Sequence, residues 1–600
     1  MENCIIDFYK CPYITYNYLL GWLMKRIKLL LLTILLLSLC FFPFKSTQTQ
    51  SSDQQFEQQV YDWFIEDVSA NPLNLHYTLA NPASYGIELT NFTLCTDTIS
   101  YSDLQERLNT LHQFADQTLS VNNRLTKNIL TQSYETELAG EPYLLLCEPL
   151  SPTLGIQAQL PILLAEYTFR NESDIHNYLR MLTSIPSYFE ELLDFQKEKS
   201  KQGTFMSDTS LERILEQCQA FILNPQENYL QSVFEIAIQE IPSLSTEKKT
   251  AYISLHNQLV QTQIIPSYQM LIDQLQQLKG TGKNINGLYY LENGTDYYEY
   301  LLKSNCGLKE SVTQIQERLM QQLEQDMQQV KKILQNNPNA LEEFSHQTPK
   351  DSQSPLEMLT RLQTELTQDF PSLEHIDYTL KYVHKDLEDY LSPAFYLTPP
   401  IDLLSPNTIY INPKENINGI DLFTTLAHEG FPGHLYQTVY FCSSNPLPIR
   451  HTLNFGGYTE GWATYVESYA YEYYGETSDI STLNQIQQSM NLCILSFLDT
   501  KIHYEGWTIL ETADFLNAFG ISDTSAHQEI FQMIIETPSN YVKYYVGSLK
   551  FADLKDFIKT QLGTDFSIHE FHKKILEIGP CQFSILEEAL LQYFKLDTSS

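Results

Sequence analysis

Seven apolar residues, Val312, Ile315, Leu319, Leu323, Met327, Val330 and Leu334, recur at steps of three and four. Only a helix keeps such a series on one face, because about 3.6 residues complete each turn. A stripe of about six turns must be buried against other elements, which constrains the chain to a large, mainly α-helical body. Leu104, Leu108, Leu111 and Phe114 carry a second stripe, and Pro72, Pro152, Pro161, Pro186, Pro242, Pro266 and Pro338 punctuate the helical stretches of residues 55–370. No internal repeat of fixed period occurs. Between Pro371 and Asn412 the pattern changes: Tyr378–Val383 alternates with β-branched and aromatic residues, and Asn407–Asn412 is a second strand-like run closed by Pro413. After Ile420 the helical period returns. The expectation is a mainly α protein with a small β-sheet.

The 600 residues, 43% of them hydrophobic, supply ample core and exclude disorder. With 37 basic against 73 acidic residues the surface repels phosphate backbones, so no nucleic-acid partner is expected. Lys25, Arg26 and Lys28 precede the apolar run Leu29–Phe44, the form of a secretory signal. Residues 1–45 therefore read as a signal peptide or N-terminal membrane anchor, short beside the about 20 residues of a spanning helix. Met24 directly before Lys25 fits a later start, with residues 1–23 upstream of it. Leu37-Ser38-Leu39-Cys40 resembles a lipobox with Leu39 where Gly or Ala is usual. Export to the cell surface or beyond, with membrane attachment through this segment, is the expected location. Residues 46–600 then form the working domain, a helical half over 46–370 and a second half over 371–600. Its seven cysteines are scattered and lack any C-x-x-C, which excludes a dense disulfide framework or a cysteine zinc knuckle.

The second half carries the chemistry. His428-Glu429-Gly430-Phe431-Pro432-Gly433-His434 places two histidines at i and i+6, about 120° apart on an ideal helix, whereas i and i+4 are about 40° apart. A straight helix cannot converge them. Pro432 lacks an N–H and breaks the hydrogen-bond ladder, and Gly433 accepts whatever backbone path returns His434 towards His428. Twenty-six residues after His434, Glu460-Gly-Trp-Ala-Thr-Tyr-Val-Glu467 opens a helix. Two histidines and one glutamate make a common zinc ligand set with a fourth position left open. Glu460 is placed to be the third ligand, and Glu467, two turns on, to accept from the free ring nitrogen of a ligating histidine. Glu460 also reads more plainly as an acidic residue suited to the helix macrodipole.

These segments resemble a bacterial domain-of-unknown-function family, number 885, whose motifs group it with the gluzincin zinc peptidases. His428–His434 is similar to its H-E-x-x-P-G-H and Glu460–Glu467 to its E-G-W-A-x-Y-x-E. Leu160–Tyr167, Tyr178–Leu182, Glu292–Tyr298 and Asp499–His503 with Gly506-Trp507 are similar to further signatures. Near the C-terminus Pro538, Tyr544 and Gly547 fit the family pattern, whereas Ser539, Asn540 and Tyr541 depart from it. The resemblance implies a large gluzincin-like metallopeptidase domain, with the sheet beside the active-site helix and a deep cleft that admits short or unfolded peptides.

The expected function is zinc-dependent hydrolysis of peptide bonds, with one Zn²⁺ per chain held by His428, His434 and Glu460. Glu429 is the expected general base, passing a proton from water to the leaving amine. The strand Asn407–Asn412 is the expected edge for binding substrate backbone. Tyr544 or Tyr545 and His503 are the oxyanion donors the resemblance suggests, although Asp499 and His503 at i, i+4 also read as a helix-surface pair. Three alternatives stay open: a non-proteolytic zinc hydrolase, a catalytically inactive cell-surface binding protein, and a helical scaffold.

Overall fold

The computed structural model of the chain describes residues 51–95, 100–152, 154–346, 353–373, 376–385, 388, 391–415 and 417–596. The segment read as a signal or anchor, with Cys40, lies outside the described residues. The chain divides into two compact units, Met1–Gln55 and Phe56–Ser600. Of the first, only residues 51–55 are described, opening a helix over Ser52–Ala70. All other described elements lie in the second unit. Among the described residues no helix is long and apolar enough to cross a membrane.

The expected helical character is what the structure has, with the elements that build the site concentrated after residue 312. Helix α1 (Val312–Asn336) opens on a capping box in which Ser311 and Gln314 satisfy each other's backbone N–H groups. Val312, Ile315, Leu319 and Leu323 are buried as their spacing predicts, but Met327 is 49% exposed. Each four-residue step overshoots a full turn by about 40°, so two such steps carry Met327 off the buried face. Asp326 points inward instead, bonded to Gln322 and Ser489. The second stripe behaves similarly: Leu104, Leu108 and Leu111 are buried on one helix, which stops at Leu111 before Phe114.

The sheet has three strands, β1 (Tyr378–Tyr382), β2 (Ala394–Leu397) and β3 (Asn407–Ile411), in the order β1-β3-β2. Strand β3 runs parallel to β1 and antiparallel to β2. All five of its residues are buried, as befits a strand covered on both edges and both faces. This corrects the expectation that Asn407–Asn412 offers an edge to substrate. The strand is central, and the free edge next to the site belongs to β2.

Of the helices that follow, five shape the site: α2 (Gly419–Glu429), α3 (His434–Ser443), α4 (Gly456–Tyr473), α5 (Ser478–Tyr504) and α6 (Asn540–Leu562). The largest core cluster joins Leu319 and Phe370, from before the sheet, to Phe423, Trp462, Leu498 and Phe551, from after it. Helices α4 and α6 cross in close contact because glycine faces glycine. A Cβ on Gly461 would stand 2.5 Å from the backbone of Gly547, and one on Gly547 would stand 2.2 Å from the Gly457 carbonyl. The crossing brings Tyr544 of α6 to the level of Glu460. Among the described residues no disulfide joins any two of the seven cysteines.

Candidate metal centre

The break between α2 and α3 is where the site is made. Helix α2 ends at Glu429 and α3 starts at His434, so residues 430–433 form a complete interruption instead of a loop within one helix. The Gly433 N–H reaches back to the Ala427 carbonyl at 2.9 Å, folding the break tightly against the end of α2. A Cβ on Gly433 would lie 1.8 Å from the His428 carbonyl oxygen, so a larger residue cannot follow this path. The Trp462 indole N–H donates to the Pro432 carbonyl at 3.0 Å, tying the break to the helix that carries Glu460. The two histidine rings end 4.7 Å apart between centroids and nearly perpendicular, at 86°.

Glu460 lies between them. Its Oε2 is 3.5 Å from His428 Nε2 and 3.4 Å from His434 Nε2. The ligand atoms of all three side chains fall within 4.8 Å of one another, close enough for a single ion to reach each. His428 Nδ1 meets Glu467 Oε1 at 2.5 Å, which fixes the ring with its Nδ1 proton on Glu467 and its Nε2 facing the centre. Two imidazoles and a carboxylate suit Zn²⁺ and leave a coordination position free, whereas Mg²⁺ and Ca²⁺ favour all-oxygen sites. The donor set therefore fits the ion that the motif implies.

Charge in the cluster is balanced by proximity. Burial alone would push the His428 imidazole down, but its bonds to Glu460 and Glu467 outweigh burial and hold its pKa well above the ordinary histidine range. Burial works to raise Glu460, yet the two imidazoles hold that carboxylate well below its usual range. Glu429 is raised, chiefly by burial, which His428 and His434 offset only in part.

A cavity of about 520 Å³ opens over this centre, lined by His428, Glu429, His434, Glu460, Tyr544 and strand β2 among others. Glu429 Oε2 accepts a 2.9 Å hydrogen bond from the backbone N–H of Tyr396 on β2, so the outer edge of that strand faces the site. Sequence reasoning missed this contact, although Ala394–Leu397, a short aromatic run between Pro393 and Pro399, carries a strand signal. The Tyr544 ring stacks on His428 at 6.3 Å, and burial, then the charges of Glu460 and Glu429, raise its pKa. Tyr545 faces away, with its hydroxyl bonded to Ser489.

The structure does not bring His503 to this cavity. Its Nδ1 accepts from the Leu288 N–H at 3.1 Å, and its Nε2 meets the Ile534 carbonyl at 2.9 Å. Nor is it a helix-surface partner of Asp499: both side chains are fully buried. Asp499 accepts from the Tyr298 hydroxyl at 2.6 Å and the Ser539 N–H at 3.1 Å. The pair joins α5 to the segments around residues 288–298 and 534–539.

Residues 87–590 match the profile of a family described as bacterial protein of unknown function, DUF885. The chain belongs to that family. No curated protein matches it in sequence. Among solved structures it is similar to a candidate lipoprotein from Colwellia psychrerythraea, with a TM-score of 0.76 at 20% identity over 91% of this chain and 99% of the other. It is also similar to a candidate lipoprotein of unknown function from Shewanella oneidensis, with a TM-score of 0.61 at 16% identity over 89% of this chain and 99% of the other. At these identities the likeness is one of fold.

Proposed function

We propose that the chain is an exported zinc-dependent peptidase of gluzincin type that hydrolyses peptide bonds of short or unfolded peptides. The observation that carries the reading is the convergence of His428, His434 and Glu460 beside a cavity that also contains Glu429. A binding site for metal alone has no use for a carboxylate base at that place. Zinc, when bound, supplies polarisation of the scissile carbonyl and acidifies water. Glu429, in the cavity wall beside the ligands, would serve as the base that moves a proton from the attacking water to the leaving amine. Glu467 holds His428 in the tautomer that presents Nε2. The Tyr544 hydroxyl is the candidate donor to the oxyanion. The outer edge of β2 receives substrate backbone as an added strand, in a cleft that excludes folded chains. Export rests on the basic and apolar N-terminal segment, and the two lipoprotein-like neighbours of the same fold support it.

The test is zinc content and chelator-sensitive cleavage of a peptide library by the mature chain, beside a His428→Ala/His434→Ala double variant. About one zinc per chain and cleavage, both lost in the variant, is the expected result. Zinc without cleavage would favour the non-proteolytic hydrolase or the binding protein. No zinc in either chain would remove the metal reading altogether.

A further inference from the structure

Glu460 stands in the walls of two cavities. One is the cavity under β2; the other, of about 500 Å³, shares Glu460 with it and includes Lys543, Thr459, Asn454 and Asn540, with Phe205 and Leu301 as apolar surface. Its size falls within the about 300–1,000 Å³ typical of small-ligand sites, and its mixture of an apolar wall with a few polar groups is typical too.

Lys543 is the unusual group in it. Its stem passes over the first turn of α4, where a Cβ on Gly456 would be 3.3 Å from its Cδ, one turn before Glu460. Its ammonium lies 5.1 Å from the Tyr544 ring centroid, and that ring in turn stacks on His428. The acids of the same wall are already engaged: Glu148 with Lys199, Glu536 with Arg213, and Glu460 with the two imidazoles. Lys199 also donates to the Cys147 carbonyl. Among the described residues no carboxylate pairs with Lys543. A lysine left unpaired inside a cavity is out of keeping with a chain of 37 basic and 73 acidic residues, where carboxylate partners abound. An ammonium so placed is a ready partner for an anion arriving from outside.

We propose that this second cavity binds the carboxylate end of a peptide through Lys543, so that hydrolysis at the metal centre releases a short C-terminal fragment. The inference rests on the peptidase reading and adds its substrate class: peptides with a free C-terminus. An aspartate or glutamate side chain offers the same chemistry from another source.

The test uses the zinc-loaded mature chain and three probes: a short peptide with a free C-terminus, its C-terminal amide, and the amide ending in aspartate. Cleavage is followed by mass spectrometry, and binding of the same probes to the Glu429→Gln chain by fluorescence anisotropy. The free acid should exceed the plain amide roughly ten- to hundredfold in kcat/KM and in affinity, the worth of one charge-assisted bond. The difference should appear mainly in KM, because the clamp is made equally in ground and transition states. Lys543→Met should abolish the preference by weakening the acid alone, and Lys543→Arg should keep it. Unchanged zinc content in both variants shows that they fold. Lys543-dependent recovery by the aspartyl amide would identify a side-chain carboxylate as ligand and overturn the terminal assignment. Cleavage indifferent to amidation and to Lys543 overturns the subsite and leaves the peptidase reading standing. Lys543-dependent binding of the acid without cleavage of any peptide supports the subsite and sinks the peptidase reading.

Discussion

Replacing Glu467 by alanine removes an acceptor from behind the metal centre and leaves all three ligands in place. The bond it removes is short, 2.5 Å from His428 Nδ1, and both side chains are only 13% exposed, so solvent cannot readily replace it. Hydrogen bonds to a charged group contribute about 1.5–3 kcal/mol. At about 1.4 kcal/mol per factor of ten, zinc affinity should fall roughly 10- to 100-fold, the range expected for groups that orient a ligating histidine. Glu467→Gln keeps an oxygen acceptor and loses the charge, so its loss should be about tenfold or less. The assay is competition of metal-stripped protein against a chelator of known zinc affinity, with a thermal transition to show that the variant folds. At saturating zinc, turnover should recover much of its wild-type value. Zinc affinity within twofold of wild type in the alanine variant would refute the claim that Glu467 orients His428.

Glu429→Gln should keep zinc and lose turnover, whereas His434→Ala should lose both; metal analysis and peptide cleavage check this, and turnover in the Gln variant would remove Glu429 from the mechanism. Gly433→Ala places a methyl group where the His428 carbonyl oxygen now lies 1.8 Å away, so the break must open and carry His434 with it. Zinc affinity should drop roughly 5- to 150-fold, in line with about 1–3 kcal/mol for overpacking, and an affinity equal to wild type would contradict it. Burial pushes the Asp499 carboxyl up to about 7 from the model-compound 3.8, only partly opposed by its bonds to Tyr298 and Ser539. Because the folded state keeps the proton longer, stability from this group is fully present below pH about 4 and is lost as pH rises to about 7, a swing on the order of 4 kcal/mol. Asp499→Asn keeps the accepting oxygen and cannot ionise, so its urea stability should gain on wild type between pH 4 and 8; a difference that stays flat with pH would sink this reading.

Much of the site was legible because its determinants are local. The helical period, the Pro-Gly interruption and the seven-residue spacing of Glu460 and Glu467 are properties of short segments, and each fixes a local conformation or a shared face. Tyr378–Tyr382 and Asn407–Ile411 were visible as two strand-like runs. What could not be read was their arrangement: an intervening four-residue strand, Ala394–Leu397, pairs with β3 and takes the edge next to Glu429. Strand order depends on which edges the rest of the molecule covers, and no run of residues encodes that.

The same division separates the tyrosines and His503. Tyr544 and Tyr545 are adjacent, and only the glycine-lined crossing of α4 and α6 decides that the first stacks on His428 while the second turns to Ser489. His503 carries a metal-site residue type, but both its ring nitrogens are taken by backbone groups that come from segments far along the chain. The sequence alone determined a helical protein with one break, two imidazoles and two carboxylates at set intervals. The tertiary structure decided which atoms meet, because convergence within a few ångströms is a property of helix crossings and not of spacing.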